Sequence, residues 1–234
     1  MTMKESIFVL AVMLLFFSCG NSNSKGDEVT KKVHTRKATP EKPILHVYNM
    51  GGVPSSLVNQ LTSRLKVIYP NTVFSGDMAF VDSAYIKNDK KGNDRYWWSK
   101  LRPHMIKATD TKRGVSLVVI NAEVCNWDHK NKGSHANLGI SNLGGHVSFV
   151  SYQRLKKNRR DNVNDMLKIA IHELGHSVGR LVVEREDLRH HCPNQNCLMK
   201  DAKNGYPYDD VETFCQSCER VMKGRGFKTD MMEF

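Results

Sequence analysis

Two histidines one helical turn apart enclose a glutamate in His172-Glu173-Leu174-Gly175-His176. Imidazoles at that spacing can hold one zinc ion at about 2.0–2.1 Å each. Glu173 is offset from both rings, so it can reach water at the metal without ligating it, as a general base must. A second set of candidate ligands follows. Cys192, Cys197, Cys215 and Cys218 stand as C-x4-C and C-x2-C, spacings at which four thiolates can close a tetrahedral structural zinc site. Two disulfides would use the same residues, and an oxidising compartment would favour them, so spacing leaves both open. Zinc in a thiolate site supplies on the order of 10–16 kcal/mol of folding free energy, a staple suited to a C-terminal part short on regular structure. Cys125 reads as a small buried apolar residue, since nothing in the sequence places a base beside it.

The histidines need a helix to carry them. From Asp161 to Val178 the apolar residues Val163, Leu167, Ala170, Leu174 and Val178 recur at spacings of three and four. His172 and His176 lie roughly 180–200° around the cylinder from that stripe, which predicts one face on a core and two imidazoles in a cleft. Upstream, Ile44–Tyr48 reads as a strand closed by Gly51-Gly52, and Pro54 suits the first turn of a helix to Ile68. Thr72-Val73-Phe74 begins a second strand, 86–93 a polar loop, and 95–108 a helix that Pro103 should kink or end. Val115–Ile120 has the composition of a strand buried on both faces. Residues 126–137 read as a polar loop, 138–140 as a short edge strand, Leu143-Gly144-Gly145 as a turn, and 146–152 as an alternating strand. The order β-α-β-α-β-β-β, then the motif helix, predicts an α/β (α+β) fold: one mixed sheet with packed helices and an irregular C-terminal part.

The remaining composition bounds location and partners. At 234 residues the chain suits one domain with a tail. Lys4 precedes an apolar run, Ile7–Phe17, too short to span a bilayer and suited to a signal peptide over 1–18. Ser18-Cys19-Gly20 resembles a bacterial lipoprotein signal, with Cys19 the lipidated first residue of a membrane-anchored, exported protein; Phe16 stands where that pattern has Leu, and an ordinary cleaved signal is the alternative. Residues 19–43, rich in Ser, Lys, Thr and Asn, read as a flexible tether, leaving 44–234 as the folded domain. The net charge of +11 is spread along the chain, its one cluster being Lys156-Lys157-Asn158-Arg159-Arg160, read as a solvated loop. No nucleic-acid motif accompanies it, so the charge reads as a bias toward acidic partners or surfaces, and the chain is expected to be a monomer.

Taken together, His172-Glu173-x-x-His176-x-x-Gly179, His191-Cys192-x4-Cys197-x-Met199 and Cys215-x-x-Cys218 resemble the archaemetzincins, a branch of the metzincin zinc peptidases. Ala136–Gly139 and Leu143–Ser151 look like the segment that precedes the zinc helix in that family, so the resemblance runs from about Ile44 to Cys218. It implies a metzincin-like mixed twisted sheet and a catalytic zinc on three histidines, with Glu173 as general base. It also implies a structural zinc on Cys192, Cys197, Cys215 and Cys218, hence two Zn2+ per chain. Met199 would lie beneath the catalytic metal, and the edge strand near 138–140 would pair with an extended peptide substrate.

One departure concerns the third histidine, whose family position is occupied by Val182. An insertion over about 180–190 precedes His191-Cys192. Glu184 would sit about 12 Å along a continued helix from His176, too far to share an ion, so the chain must turn near Gly179 and return. His191 is the first choice for third ligand, His190 the second, with His135, His146 or no protein ligand behind them. A binding or scaffold lipoprotein, its site disrupted by the insertion, is the rival to a zinc-dependent peptidase.

Overall fold

The computed structural model describes residues 42–80, 85–88, 93–109, 114–128, 133–141, 145–178, 191–201 and 211–234. The signal segment, the tether with Cys19, the Leu143-Gly144 turn, and the insertion with Gly179, Val182, Glu184 and His190 lie outside the described residues, as does the ring of His135.

Five strands form the main sheet: β1 (Ile44–Met50), β2 (Thr72–Met78), β5 (Gly114–Ile120), β8 (Gly139–Ser141) and β9 (Val147–Ser151). Their order is β2-β1-β5-β9-β8, parallel throughout except for antiparallel β8 at one edge. Parallel sheets need cover on both faces, and the strand alternation supplies two apolar surfaces. Leu45, Val47, Val115, Leu117, Val119 and Val150 point to one core, with the helices α1 (Ser55–Ile68) and α4 (Val163–Ser177). Tyr48, Met50, Val118, Ile120, Val147 and Phe149 point to the other, with α2 (Trp98–Ala108). Gly51 and Gly52, both at positive φ, turn the chain out of β1, a conformation that glycine adopts without steric cost. Pro54 is the N-cap of α1, one position ahead of its expected first turn, and Val58, Leu61, Leu65 and Ile68 form its buried face.

A second sheet, β3 (Tyr85–Asn88), β4 (Asn93–Trp97), β6 (Glu123–Asp128) and β7 (Gly133–Asn137) in the order β3-β4-β6-β7, corrects the sequence reading. Both supposed polar loops, 86–93 and 126–137, contain strands. Their polar composition hid them, because strand formation depends on neighbours more than on residue type. The helix expected from Arg95 begins only at Trp98, and Pro103 lies within it without ending it. Leu101 and Met105, fully buried one turn apart, hold the helix on both sides of the proline. β9 does not alternate between core and solvent: all of it is buried, and Tyr152 opens the short helix α3 (Tyr152–Lys157) instead. The basic cluster is accordingly the end of a helix and its turn, and Lys157 joins Arg95 in holding the buried Glu123 carboxylate, each at 2.8 Å. The C-terminal part is more regular than expected, with α5 (Gln216–Gly224) and a 3-10 turn at Thr229–Met231. Among the described residues no helix is long and apolar enough to cross a membrane.

Candidate metal centre

The motif helix α4 starts at Asn162, whose side chain accepts from the Asp165 backbone N–H at 2.9 Å, and Asp165 adds a negative charge at the positive end of the helix. The stripe Leu167, Ala170, Leu174 and Val178 is buried as the periodicity requires. The opposite side is buried too. Every residue from Met166 to Ser177 is buried, and Leu198 and His191, from after the insertion, lie against the histidine face on which a cleft was expected. His172 and His176 are each 4 % exposed and Glu173 6 %.

Among the described residues two groups of potential metal ligands occur: His172, His176 and His191, and Cys192, Cys197, Cys215 and Cys218. Within each group the ligand atoms lie within 4.8 Å of one another. The structure thus brings His191 to the motif histidines, its ring centroid 5.3 Å from that of His172 and 5.0 Å from that of His176. The exposed His146, just before β9, belongs to neither group.

Both groups fit zinc by their own dimensions. Nitrogens on a tetrahedral zinc at about 2.0–2.1 Å lie about 3.3–3.4 Å apart. Nε2 of His172 and Nε2 of His176 are 3.1 Å apart. Thiolates at about 2.3 Å from zinc lie about 3.7–3.8 Å apart, against about 2.05 Å in a disulfide. The sulfurs of Cys192 and Cys215 are 3.6 Å apart, and none of the four cysteines is disulfide-bonded. Hydrogen bonding from Cys218 lowers the Cys197 thiol to about 5 and raises Cys218 in turn. Burial pushes Cys192 up. Such a set gains its remaining negative charge when a cation displaces the protons.

The imidazoles are oriented from outside. Nδ1 of His172 faces the Leu198 carbonyl oxygen at 2.6 Å, and since a carbonyl can only accept, Nδ1 carries the hydrogen and the Nε2 lone pair faces the other histidines. Burial, with His191 adding, lowers His172 to about 4 against the opposing Leu198 carbonyl, so its ring is neutral, the form that binds metal. Nδ1 of His191 lies 3.8 Å from Asp201 Oδ1. Burial raises Glu173 to about 8, opposed in part by the Ser141 hydroxyl, which lies 2.8 Å from its Oε2.

Leu198, Asp201 and Ser141 are not marked as parts of the site by the sequence, and Gly139 enters only as part of the edge strand expected beside the substrate. A backbone carbonyl leaves no trace in residue types, and Asp201 reads as an ordinary surface acid. Ser141 had one signal: it follows Gly139 by two on an edge strand and therefore shares its face. Cys125 is buried as expected, its thiol 3.6 Å from the Tyr96 carbonyl oxygen. Met199 is buried, and its carbonyl oxygen accepts from the Cys192 N–H at 2.6 Å.

No protein-family model matches the chain. It is similar to an archaemetzincin of Pyrococcus furiosus, 25% identical over an alignment of 198 residues that covers 80% of this chain and 97% of that protein. Among solved structures, the archaemetzincin of Methanopyrus kandleri aligns with a TM-score of 0.60 at 17% identity, over 80% of this chain and 98% of that one. The archaemetzincin of Archaeoglobus fulgidus, solved with malonate, aligns at 0.55 and 20% identity, over 76% of this chain and 99% of its own. A zinc-dependent peptidase of Methanocorpusculum labreanum aligns at 0.53 and 16% identity, over 76% and 99%. The chain has an archaemetzincin-like fold.

Proposed function

We propose that this archaemetzincin-like chain is a zinc-dependent peptidase. The observation that carries the reading is the convergence of His191, from beyond the insertion, on His172 and His176 beside a buried carboxylate. That convergence supports a peptidase over a scaffold with a disrupted site. His172, His176 and His191 would hold the catalytic zinc, and Cys192, Cys197, Cys215 and Cys218 a structural one. Bound zinc supplies a Lewis acid that polarises a carbonyl and acidifies water.

The chain's own groups do the rest. The Leu198 carbonyl orients the His172 ring, and the Asp201 carboxylate lies 3.8 Å from the ring of His191. Glu173 accepts the proton of the attacking water on its carboxylate and delivers it to the nitrogen of the departing amine. Burial raises the proton affinity of the Glu173 carboxyl, and a cation held by the histidines would favour the ionised form from which it accepts the proton. β8, the edge strand of the main sheet, packs on α4 beside Glu173 and offers backbone groups to an extended peptide. The exported, lipid-anchored state through Cys19, with the tether between membrane and domain, belongs to the same proposal and rests on the N-terminal sequence.

Peptide cleavage by the zinc-loaded protein and by Glu173→Gln tests it. The variant should retain its zinc and lose turnover by at least about a hundredfold. Cleavage by the variant at the parent rate would overturn the role of Glu173, and a parent that retains zinc but cleaves no peptide would overturn the peptidase.

A further inference from the structure

The hydroxyl against the Glu173 carboxylate belongs to Ser141, at the end of β8. Its Oγ lies 2.8 Å from Glu173 Oε2, 2.6 Å from the Glu173 carbonyl oxygen and 2.8 Å from Ser148 Oγ. A hydroxyl has one proton to give, so these partners must be divided. Ser177, one turn along α4, lies 3.2 Å from the Glu173 carbonyl oxygen and can donate to it. Ser148, which also lies 3.0 Å from Ser177 Oγ, can give its proton to the nearer Ser141 Oγ at 2.8 Å. That arrangement leaves the Ser141 proton for the carboxylate, where a charge-assisted bond is stronger than one to a neutral carbonyl.

A second contact comes from Gly139, two residues earlier and on the same face of the strand. A Cβ there would come within 2.7 Å of Glu173 Cγ and Oε1 and 2.8 Å of Ile169 Cγ2. The glutamate side chain lies directly on the strand backbone, with the serine hydroxyl at its tip. β8 therefore limits the carboxylate both by contact along its length and by a hydrogen bond at its end.

We propose that Ser141 is the positioning residue for the general base. Its hydroxyl sets the orientation in which the Glu173 carboxylate meets a proton donor, and β8 carries that control to the strand edge at which substrate would bind. The inference rests on the reading of Glu173 as a base. A merely structural role, in which the hydroxyl only satisfies the Glu173 carbonyl, would leave carboxylate function unaltered.

Ser141→Thr and Ser141→Val have the same shape and differ in the hydroxyl. The probe is acetohydroxamic acid, a zinc chelator whose hydroxyl proton a neighbouring carboxylate must accept, so its affinity reads the carboxylate without turnover. In the zinc-loaded full chain, Ser141→Val should bind it about tenfold to a hundredfold more weakly than the parent, with zinc content unchanged. Ser141→Thr should stay within about threefold of the parent, and on a peptide substrate Ser141→Val should lower kcat with KM unchanged. Equal affinity for the probe in the two variants overturns the inference, as does parent-like affinity in Glu173→Gln. Should Ser141→Val not fold, Ser141→Ala against Ser141→Thr is judged by the same outcomes. A parent that binds the probe but cleaves no peptide overturns the peptidase and leaves the ratio of affinities to decide the role of Ser141.

Discussion

The ring of His172 and the backbone of Leu198 are joined by a 2.6 Å hydrogen bond, donated by Nδ1 to the carbonyl oxygen. Leu198 follows Cys197, and His191 precedes Cys192, so each of two histidines is tied to the cysteine cluster by a neighbouring residue. The Cys192 N–H to Met199 carbonyl bond closes the same loop. A metal on the thiolates would therefore fix the carbonyl that sets the tautomer of one imidazole and the backbone that presents another.

Loss of the thiolate site should then weaken the histidine site. Cys215→Ser, which changes no residue next to a histidine, should lower zinc affinity at the histidines by about tenfold, the usual order for loss of an outer support. His176→Ala should remove one zinc and leave the thiolate site filled. Zinc counted per chain under a graded chelator separates the two, and a parent-like histidine site in Cys215→Ser would disprove the coupling.

Gly139→Ala is expected to act on the base through space alone. The added methyl would meet Glu173 at 2.7 Å, so either the carboxylate or the edge strand must move. Overpacking of this kind costs about 1–3 kcal/mol of stability. Activity should fall further than that loss explains while zinc content holds. Thermal unfolding, zinc content and kcat on one preparation check this.

Glu123 gives a stability prediction away from the metal centre. Its carboxylate, 1 % exposed, meets Arg95 Nε and Lys157 Nζ at 2.8 Å each. Burial alone would raise its pKa, but hydrogen bonds and charge from Lys157 and Arg95 outweigh it and lower the group below its ordinary value. A lowered carboxyl pKa contributes stability that is present above the unfolded value of about 4.3 and lost as pH falls through the folded one. Glu123→Gln should cost on the order of 3 kcal/mol at pH 7 by leaving three cations, Arg95, Lys157 and the more distant Arg154, facing a neutral group, and the cost should shrink below about pH 4. Urea unfolding at both pH values measures it.

In the metal-free protein His172 and Glu173 should give pH dependences of opposite sign to one another. Buried His172, lowered to about 4, favours the folded state less as pH falls below the unfolded value of about 6.5. Buried Glu173, raised to about 8, keeps its proton in the folded chain while the unfolded chain has lost it above about 4.3, so its contribution is lost as pH rises. Between about 4.3 and 6.5 the two oppose each other. From 6.5 to 8 the lowered Cys197 thiol adds stability as pH rises. Against it stands a decline due to Glu173 that at about 1.4 kcal/mol per pH unit amounts to about 2 kcal/mol and is read as the difference between the parent and Glu173→Gln. Glu173→Gln should abolish that decline. Unfolding of the metal-free proteins at the two pH values decides it.

Local chemistry is what the sequence by itself determined. The spacing of His172, Glu173 and His176 places them on one helix, and the run of β-branched residues from Val115 onward makes a central strand, because helix and strand periods act over neighbouring residues. Four closely spaced cysteines announce a cross-link of some kind. Only the tertiary structure decided which distant groups come together around the motif histidines. His191 meets the motif pair across an insertion with no periodic signal, and Leu198 acts through a carbonyl that every residue possesses. Ser141 and Gly139 reach Glu173 because an edge strand lies against α4, a neighbour relation no single-chain pattern encodes. The polar strands of the second sheet were missed for the same reason: their stability lies in partners far along the chain, and pairing of that kind is a property of the fold rather than of composition.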